Sequence, residues 1–154
     1  MKEAVIQILT GFLGSLGFGI LFNIKGKRLA AAALGGLISW PLFLLLSELI
    51  PSEPVNYLLV AMMMSVYSEI FARVLKTPTT PIITTALIPL IPGSSLYYTV
   101  ASIFDKSLGS FTERALHTLA LAGALALGII IVLALSHLIG RIKPRTSGAD
   151  VRNK

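Results

Sequence analysis

The feature that most constrains this sequence is a succession of long apolar blocks separated by short charged or proline-rich stretches. An α-helix needs about 20 mostly apolar residues to cross the hydrocarbon core of a bilayer. Five blocks reach that length, and they cover about residues 4–22, 29–50, 55–75, 82–104 and 115–139. We therefore predict an all-α polytopic membrane protein with five transmembrane helices, in which residues 1–140 form the membrane domain and residues 141–154 a basic cytoplasmic tail.

Composition excludes most soluble functions. Hydrophobic residues make up 55% of the chain and charged residues 13%, against about 25% charged residues in an ordinary soluble domain. The chain has no cysteine, which excludes disulfides, thiolate metal ligands and cysteine nucleophiles. The sequence has no phosphate-binding loop, nucleophile elbow or paired-histidine zinc motif, and His117 and His137 lack a second ligand at metal spacing. We therefore expect neither an enzyme nor a cofactor or metal site.

The positive charge of the chain is distributed unevenly around these blocks. Because the basic residues flank apolar helices, the net charge of +6 does not predict a nucleic-acid partner. Ten Lys and Arg residues lie at the ends of the first, third and fifth blocks, whereas Lys2, Lys106 and Arg114 lie on the other side. Lys and Arg accumulate in cytoplasmic loops, so we predict an external N-terminus and a cytoplasmic C-terminus. The alternative, a cleaved signal peptide, is disfavoured because the basic cluster follows the first apolar run and no small-residue cleavage site closes it.

Small residues at helical spacing occur in the first, second and fifth blocks. Helices in lipid gain little from burying apolar groups against one another, so close backbone approach through small residues matters more. The predicted helix-packing positions are Gly11, Ser15, Gly19, Gly35, Gly36, Ala124 and Gly128. Two interpretations remain open, which are packing within the chain and a docking face for another subunit.

The fourth block contains an interruption near its middle, in the sequence IPLIPGSSLYY. Pro89 and Pro92 lack an N–H group and Gly93 follows directly, so the predicted helix is discontinuous there. Each unpaired backbone group in hydrocarbon costs several kcal/mol unless protein or water satisfies it. Discontinuous helices form substrate sites in many secondary transporters, and a structural proline kink is the alternative. Hydroxyls suited to line such a site come from Ser94, Ser95, Tyr97 and Tyr98.

Glu69 is an ionisable residue within the third block. A charge inside a span is costly, so such a residue is by default a candidate functional residue. Helix geometry puts it about 6 Å to the cytoplasmic side of the span's centre, at about the depth expected for Pro89. Arg73 lies one turn away on the same helix face. Paired with Arg73, Glu69 would be a structural salt bridge; unpaired and desolvated, it could carry a proton.

Several segments together resemble the threonine/serine exporter family. They are FGILFNI (residues 18–24), the Gly35–Gly36 pair, SEIFARVLKTP (residues 68–78), ALIPLIPGSSLY (residues 86–97) and the Gly/Ala-rich last block. More closely, the chain resembles the small integral-membrane subunit of the split, two-component form, over about residues 11–140. It departs from the family at Lys25, where a proline is common.

This resemblance implies a subunit of a secondary transporter in the cell (plasma or inner) membrane. The family exports small hydrophilic metabolites, namely threonine and serine and, in some split systems, a dicarboxylate such as succinate, and it draws on the proton gradient. The resemblance also implies a separately encoded larger membrane subunit, and hence a homo- or hetero-oligomer. Motif matching assigns to the pathway Glu69, Arg73, Pro89, Pro92, Gly93 and Tyr97. The alternative is a non-transporting scaffold subunit that braces the larger partner.

Overall fold

The computed structural model of the chain describes residues 2–104 and 108–142, and the described part is helical with no strand. The helices are α1 (Lys2–Leu21), α2 (Lys27–Leu49), α3 (Glu53–Val74), α4 (Thr79–Ala86), a 3-10 turn (Ile88–Leu90), α5 (Gly93–Ala101) and α6 (Leu108–Ile142). Four of them, α1, α2, α3 and α6, are each long and apolar enough to cross a membrane. Helices α4 and α5 pass the same test together and are bent by 46° at the break, which gives up to five spans when this bent pair is counted as one. The predicted all-α polytopic membrane fold with a discontinuous fourth span is confirmed.

The ends of the helices differ in places from the apolar blocks. Helix α6 begins at Leu108 rather than Ala115 and is 35 residues long, or about 50 Å at about 1.5 Å per residue. It is therefore longer than the hydrocarbon core, which is about 30 Å thick. The predicted cytoplasmic tail lies outside the described residues from position 143 onward, as does Lys106.

Two of the connections use a residue in the left-handed backbone region. Asn23, with a φ of 57°, follows α1, and Lys76, with a φ of 49°, follows α3. In each case the next N–H group reaches back five residues, from Ile24 to the Gly19 carbonyl and from Thr77 to the Ala72 carbonyl, both at 2.9 Å. This arrangement satisfies carbonyls that a helix end leaves without donors. It reverses the chain within a few residues, so consecutive helices are antiparallel neighbours.

Glycines set the closest helix contacts. A Cβ atom on Gly36 of α2 would overlap the Ser15 side chain of α1, and one on Gly35 would lie 2.5 Å from the Ala86 Cβ of α4. On α6, a Cβ at Gly128 would lie 2.6 Å from the Leu58 carbonyl oxygen of α3. The other predicted packing positions lie at similar places, with Gly11 beside Pro89, Gly19 beside Leu29, and Ala124 in the buried core.

The core of the bundle lies where α3, the broken fourth span and α6 meet. Helix α3 contacts α6 and α4, α4 also packs on α2, and α5 packs on α6. The buried cluster there consists of Tyr57, Val60, Met64, Ile83, Ala86, Leu87, Leu90, Leu121 and Ala124. Because α6 touches α5 near one end and α3 along its length, a groove remains between α4 and the other half of α6.

Candidate functional site

A cavity of about 900 Å³ occupies this groove between α3, α4 and α6, and we call it the first cavity. One end is polar and the other apolar. The polar lining consists of Glu69, Arg73, Thr79, Thr80, Thr84, Ser136 and His137. The apolar lining consists of Ile83, Leu87, Ile91, Leu125, Ile129 and Leu133. The cavity therefore runs from the end of α3 to the break in the fourth span, which it reaches at Ile91.

Glu69 is a partly buried ionisable group of this cavity. Its side chain is 17% exposed, and each carboxylate oxygen has a donor. The Thr79 hydroxyl donates to Oε1 at 2.8 Å, and Arg73 Nη2 donates to Oε2 at 3.3 Å. Because the Arg73 side chain is 64% exposed, the ion pair contributes about 0–1 kcal/mol. Thr79 is therefore the partner that holds the carboxylate in place.

The depth of Glu69 differs from the expectation drawn from the sequence. Its partner Thr79 is the first residue of α4, and Pro89 comes ten residues later, a rise of up to about 15 Å. The expectation that Glu69 and Pro89 share one depth is therefore wrong. The reason is the short connection between Val74 and Thr79, which starts α4 beside the last turns of α3.

The break contains backbone hydrogen bonds between residues three apart in sequence, and it packs against α1. Leu90 N–H donates to the Leu87 carbonyl at 2.9 Å, and Ile91 N–H donates to the Ile88 carbonyl at 3.2 Å. The Pro89 ring lies against Gly11, where an added Cβ would be 3.3 Å away. Pro89, Pro92 and Gly93 are not among the residues that line the first cavity. They shape the groove by bending the span.

A second cavity, of about 470 Å³, lies between α5 and the first part of α6. It is lined by Ser95, Tyr98, Ser110, Glu113, Arg114, His117 and Thr118. The hydroxyl oxygens of Thr99 and Thr118 are 2.9 Å apart and join α5 to α6. His117 Nε2 lies 3.2 Å from Glu53 Oε2, which connects α6 to the start of α3.

The hydroxyl residues predicted around the break are therefore divided. Ser95 and Tyr98 line the second cavity. Ser94 is exposed and Tyr97 is 69% exposed on the outer surface of the bundle. A Cβ on Gly93 would meet nothing within 4 Å.

The sequence did not predict that α6 lines both cavities. The available signal was helical spacing, because Thr118, Leu125, Ile129 and Ser136 recur every four or seven residues and so share one helix face. His117 and His137, which were not predicted as site residues, line the second and first cavities respectively. Among the described residues no group of three or more His, Asp or Glu side chains could hold a metal ion.

A bundle of membrane spans with one broken helix, and a cavity that holds a carboxylate among hydroxyls, is typical of the membrane domain of a secondary transporter. Comparison with known families agrees with this class. The family model described as Threonine/Serine exporter, ThrE, matches residues 7–135. The chain belongs to this family, so it is a multi-pass membrane protein of a transporter family, as its resemblance implied. No curated protein and no solved structure matches the chain.

Proposed function

We propose that the chain is a subunit of a secondary transporter that exports threonine and serine and, in a split system, a dicarboxylate such as succinate. The observation that carries this proposal is the first cavity, whose partly buried Glu69 lies among threonine hydroxyls. Its volume of about 900 Å³ is within the usual range of about 300–1,000 Å³ for small-molecule sites. Hydroxyl and carboxylate groups suit a small hydrophilic solute better than an apolar one.

Glu69 provides a physical route to proton coupling. Its two oxygens accept bonds from Thr79 and Arg73, and an incoming ammonium group or proton would compete for the same oxygens. A carboxylate that can hold either a proton or a substrate ammonium group, but not both, exchanges one for the other. Such exchange would link amino-acid export to the proton gradient.

We propose that the N-terminus is outside and the C-terminus cytoplasmic, in the plasma or inner membrane. The charge asymmetry of the sequence supports this orientation. In it, Arg73, Thr79 and His137 lie toward the cytoplasmic ends of α3, α4 and α6. The polar end of the first cavity then faces the cytoplasm, which is the side from which an exporter takes its substrate.

A larger membrane subunit is the proposed partner. Its support is the surface of the first part of α5, directly after the break, where Gly93, Ser94 and Tyr97 are exposed. A helix start and hydroxyl groups facing lipid would lack hydrogen-bond partners, and a neighbouring subunit would supply them. This observation also favours the second candidate function, in which the chain is a scaffold and its partner holds the whole pathway.

Transport in proteoliposomes tests the assignment directly. Flux of labelled serine, threonine and succinate is measured for the chain alone and for the chain with the larger subunit. We expect flux of at least one of these solutes in one preparation. If neither preparation moves any of them, the proposed function is wrong.

Two matched tryptophan substitutions separate a pathway from a scaffold. Thr84→Trp would fill the first cavity, and Ser94→Trp would enlarge the exposed surface at the break. If the chain forms the pathway, Thr84→Trp abolishes flux and keeps the partner bound, whereas Ser94→Trp weakens partner binding. Unchanged flux in a stably assembled Thr84→Trp complex would support the scaffold instead.

A further inference from the structure

We propose that the second cavity is a binding subsite for a zwitterionic α-amino acid, at the opposite end of the same pathway from the first cavity. This inference rests on the proposed function and adds a second site to it. It is carried by the alignment of the two cavities, the charges in the second one and the closed contact between them.

The two cavities lie one after the other along the fourth span and α6. On the fourth span the lining passes from Thr84 and Ile91 in the first cavity to Ser95 in the second. On α6 the lining passes from Leu125 in the first cavity to Thr118 in the second. These two positions are seven residues apart on one helix face, a separation of about 10 Å. The cavities therefore follow one another along α6.

The side chains of the second cavity match both charges of an amino acid. Arg114 is a cation with paired donors suited to a carboxylate, and Glu113 beside it is an acceptor suited to an ammonium group. Thr118 adds a hydroxyl. A dicarboxylate would place a negative charge beside Glu113, which is unfavourable, so the zwitterion is the better fit.

A closed contact separates the two cavities. On α6, Leu121 lies between Thr118 of the second cavity and Leu125 of the first. Leu121 is fully buried in the same cluster as Leu90. A solute can pass from one cavity to the other only after the packing around Leu121 opens.

Cysteine labelling tests the subsite, because the natural chain contains no cysteine. Ser95→Cys places a thiol in the second cavity, and Ser47→Cys places a control thiol on the exposed end of α2. The full chain is reconstituted in proteoliposomes, with the larger subunit wherever flux requires it. The rate of reaction with a small thiol reagent is then measured with and without serine or succinate. We expect serine to slow labelling at Ser95→Cys and to leave Ser47→Cys unchanged, and succinate to protect neither.

Charge removal then tests the recognition itself, in the Ser95→Cys background. Arg114→Gln and Glu113→Gln should each raise the serine concentration needed for half-maximal protection about tenfold or more, since each removes a hydrogen bond to a charged group. Glu48→Gln, which removes an exposed carboxylate at the end of α2, should leave protection unchanged.

Labelling and flux are measured on the same preparation, so the two proposals fail separately. Serine flux without serine protection at Ser95→Cys would overturn the subsite and leave the proposed function intact. Protection without flux of any solute would overturn the proposed function and leave the binding site. Equal protection by succinate and serine would overturn the assignment to a zwitterion.

Discussion

Gly128 offers the sharpest test of how the bundle is held together. A Cβ atom there would lie 2.6 Å from the Leu58 carbonyl oxygen, 2.8 Å from the Ala61 Cβ and 3.2 Å from the Met62 backbone nitrogen. Two of these three atoms belong to the backbone of α3, so no side-chain rotation can relieve the overlap. Gly128→Ala must therefore push α6 away from α3 by most of an ångström.

The cost can be isolated with a matched control on the same helix. Gly123→Ala adds the same methyl group where nothing lies within 4 Å. Both substitutions change the helix propensity of α6 in the same direction, by up to about 1 kcal/mol. The difference between the two variants is then the overpacking cost, which we expect to be about 1–3 kcal/mol.

The assay is unfolding of the purified full chain in mixed micelles, by titration with a denaturing detergent. We expect a lower free energy of unfolding for Gly128→Ala than for the natural chain, and no loss for Gly123→Ala. Flux should also fall in Gly128→Ala, because α3 and α6 are two walls of the first cavity. Equal stability of the two alanine variants would refute the close packing of α3 on α6.

Three further predictions concern the polar end of the first cavity. Glu69→Gln keeps the size of the side chain and removes its charge, so we expect assembly to persist and flux to lose its dependence on the proton gradient; unchanged dependence would make Glu69 structural. Thr79→Val removes the 2.8 Å hydrogen bond to Glu69 and should lower the free energy of unfolding by about 1.5–3 kcal/mol. Thr80→Val, at the neighbouring position, is the control in the same titration and should lower it less. Arg73→Gln should change that free energy by less than about 1 kcal/mol, because the arginine is 64% exposed; a larger loss would mean that the ion pair, and not Thr79, holds Glu69.

Much of the fold followed from local properties of the sequence. The length of an apolar block relative to the bilayer thickness determines a span, and the missing N–H groups of Pro89 and Pro92 determine where the fourth span breaks. These properties do not depend on which distant parts of the chain pack nearby in the fold. The small residues also marked helix faces, although the sequence alone did not say which helix each would meet.

The location of the polar groups was decided by the tertiary structure. Which hydroxyls of α5 line a cavity with α6 depends on the bend of the fourth span. Ser95 and Tyr98 line the second cavity, whereas Ser94 and Tyr97 do not. The sequence treated these four residues as one group because they are adjacent in the chain.

The long apolar blocks by themselves predicted an α-helical membrane protein of five spans, and Pro89 and Pro92 predicted the break in the fourth. Only the tertiary structure decided that Glu69 lies beside Thr79 at the start of that helix, and that α6 supplies one wall of both cavities. The physical reason is that a span depends on local hydrophobicity and length. A site depends on where packing brings together side chains that are distant in sequence, and here close contacts at glycines such as Gly36 and Gly128 set that packing.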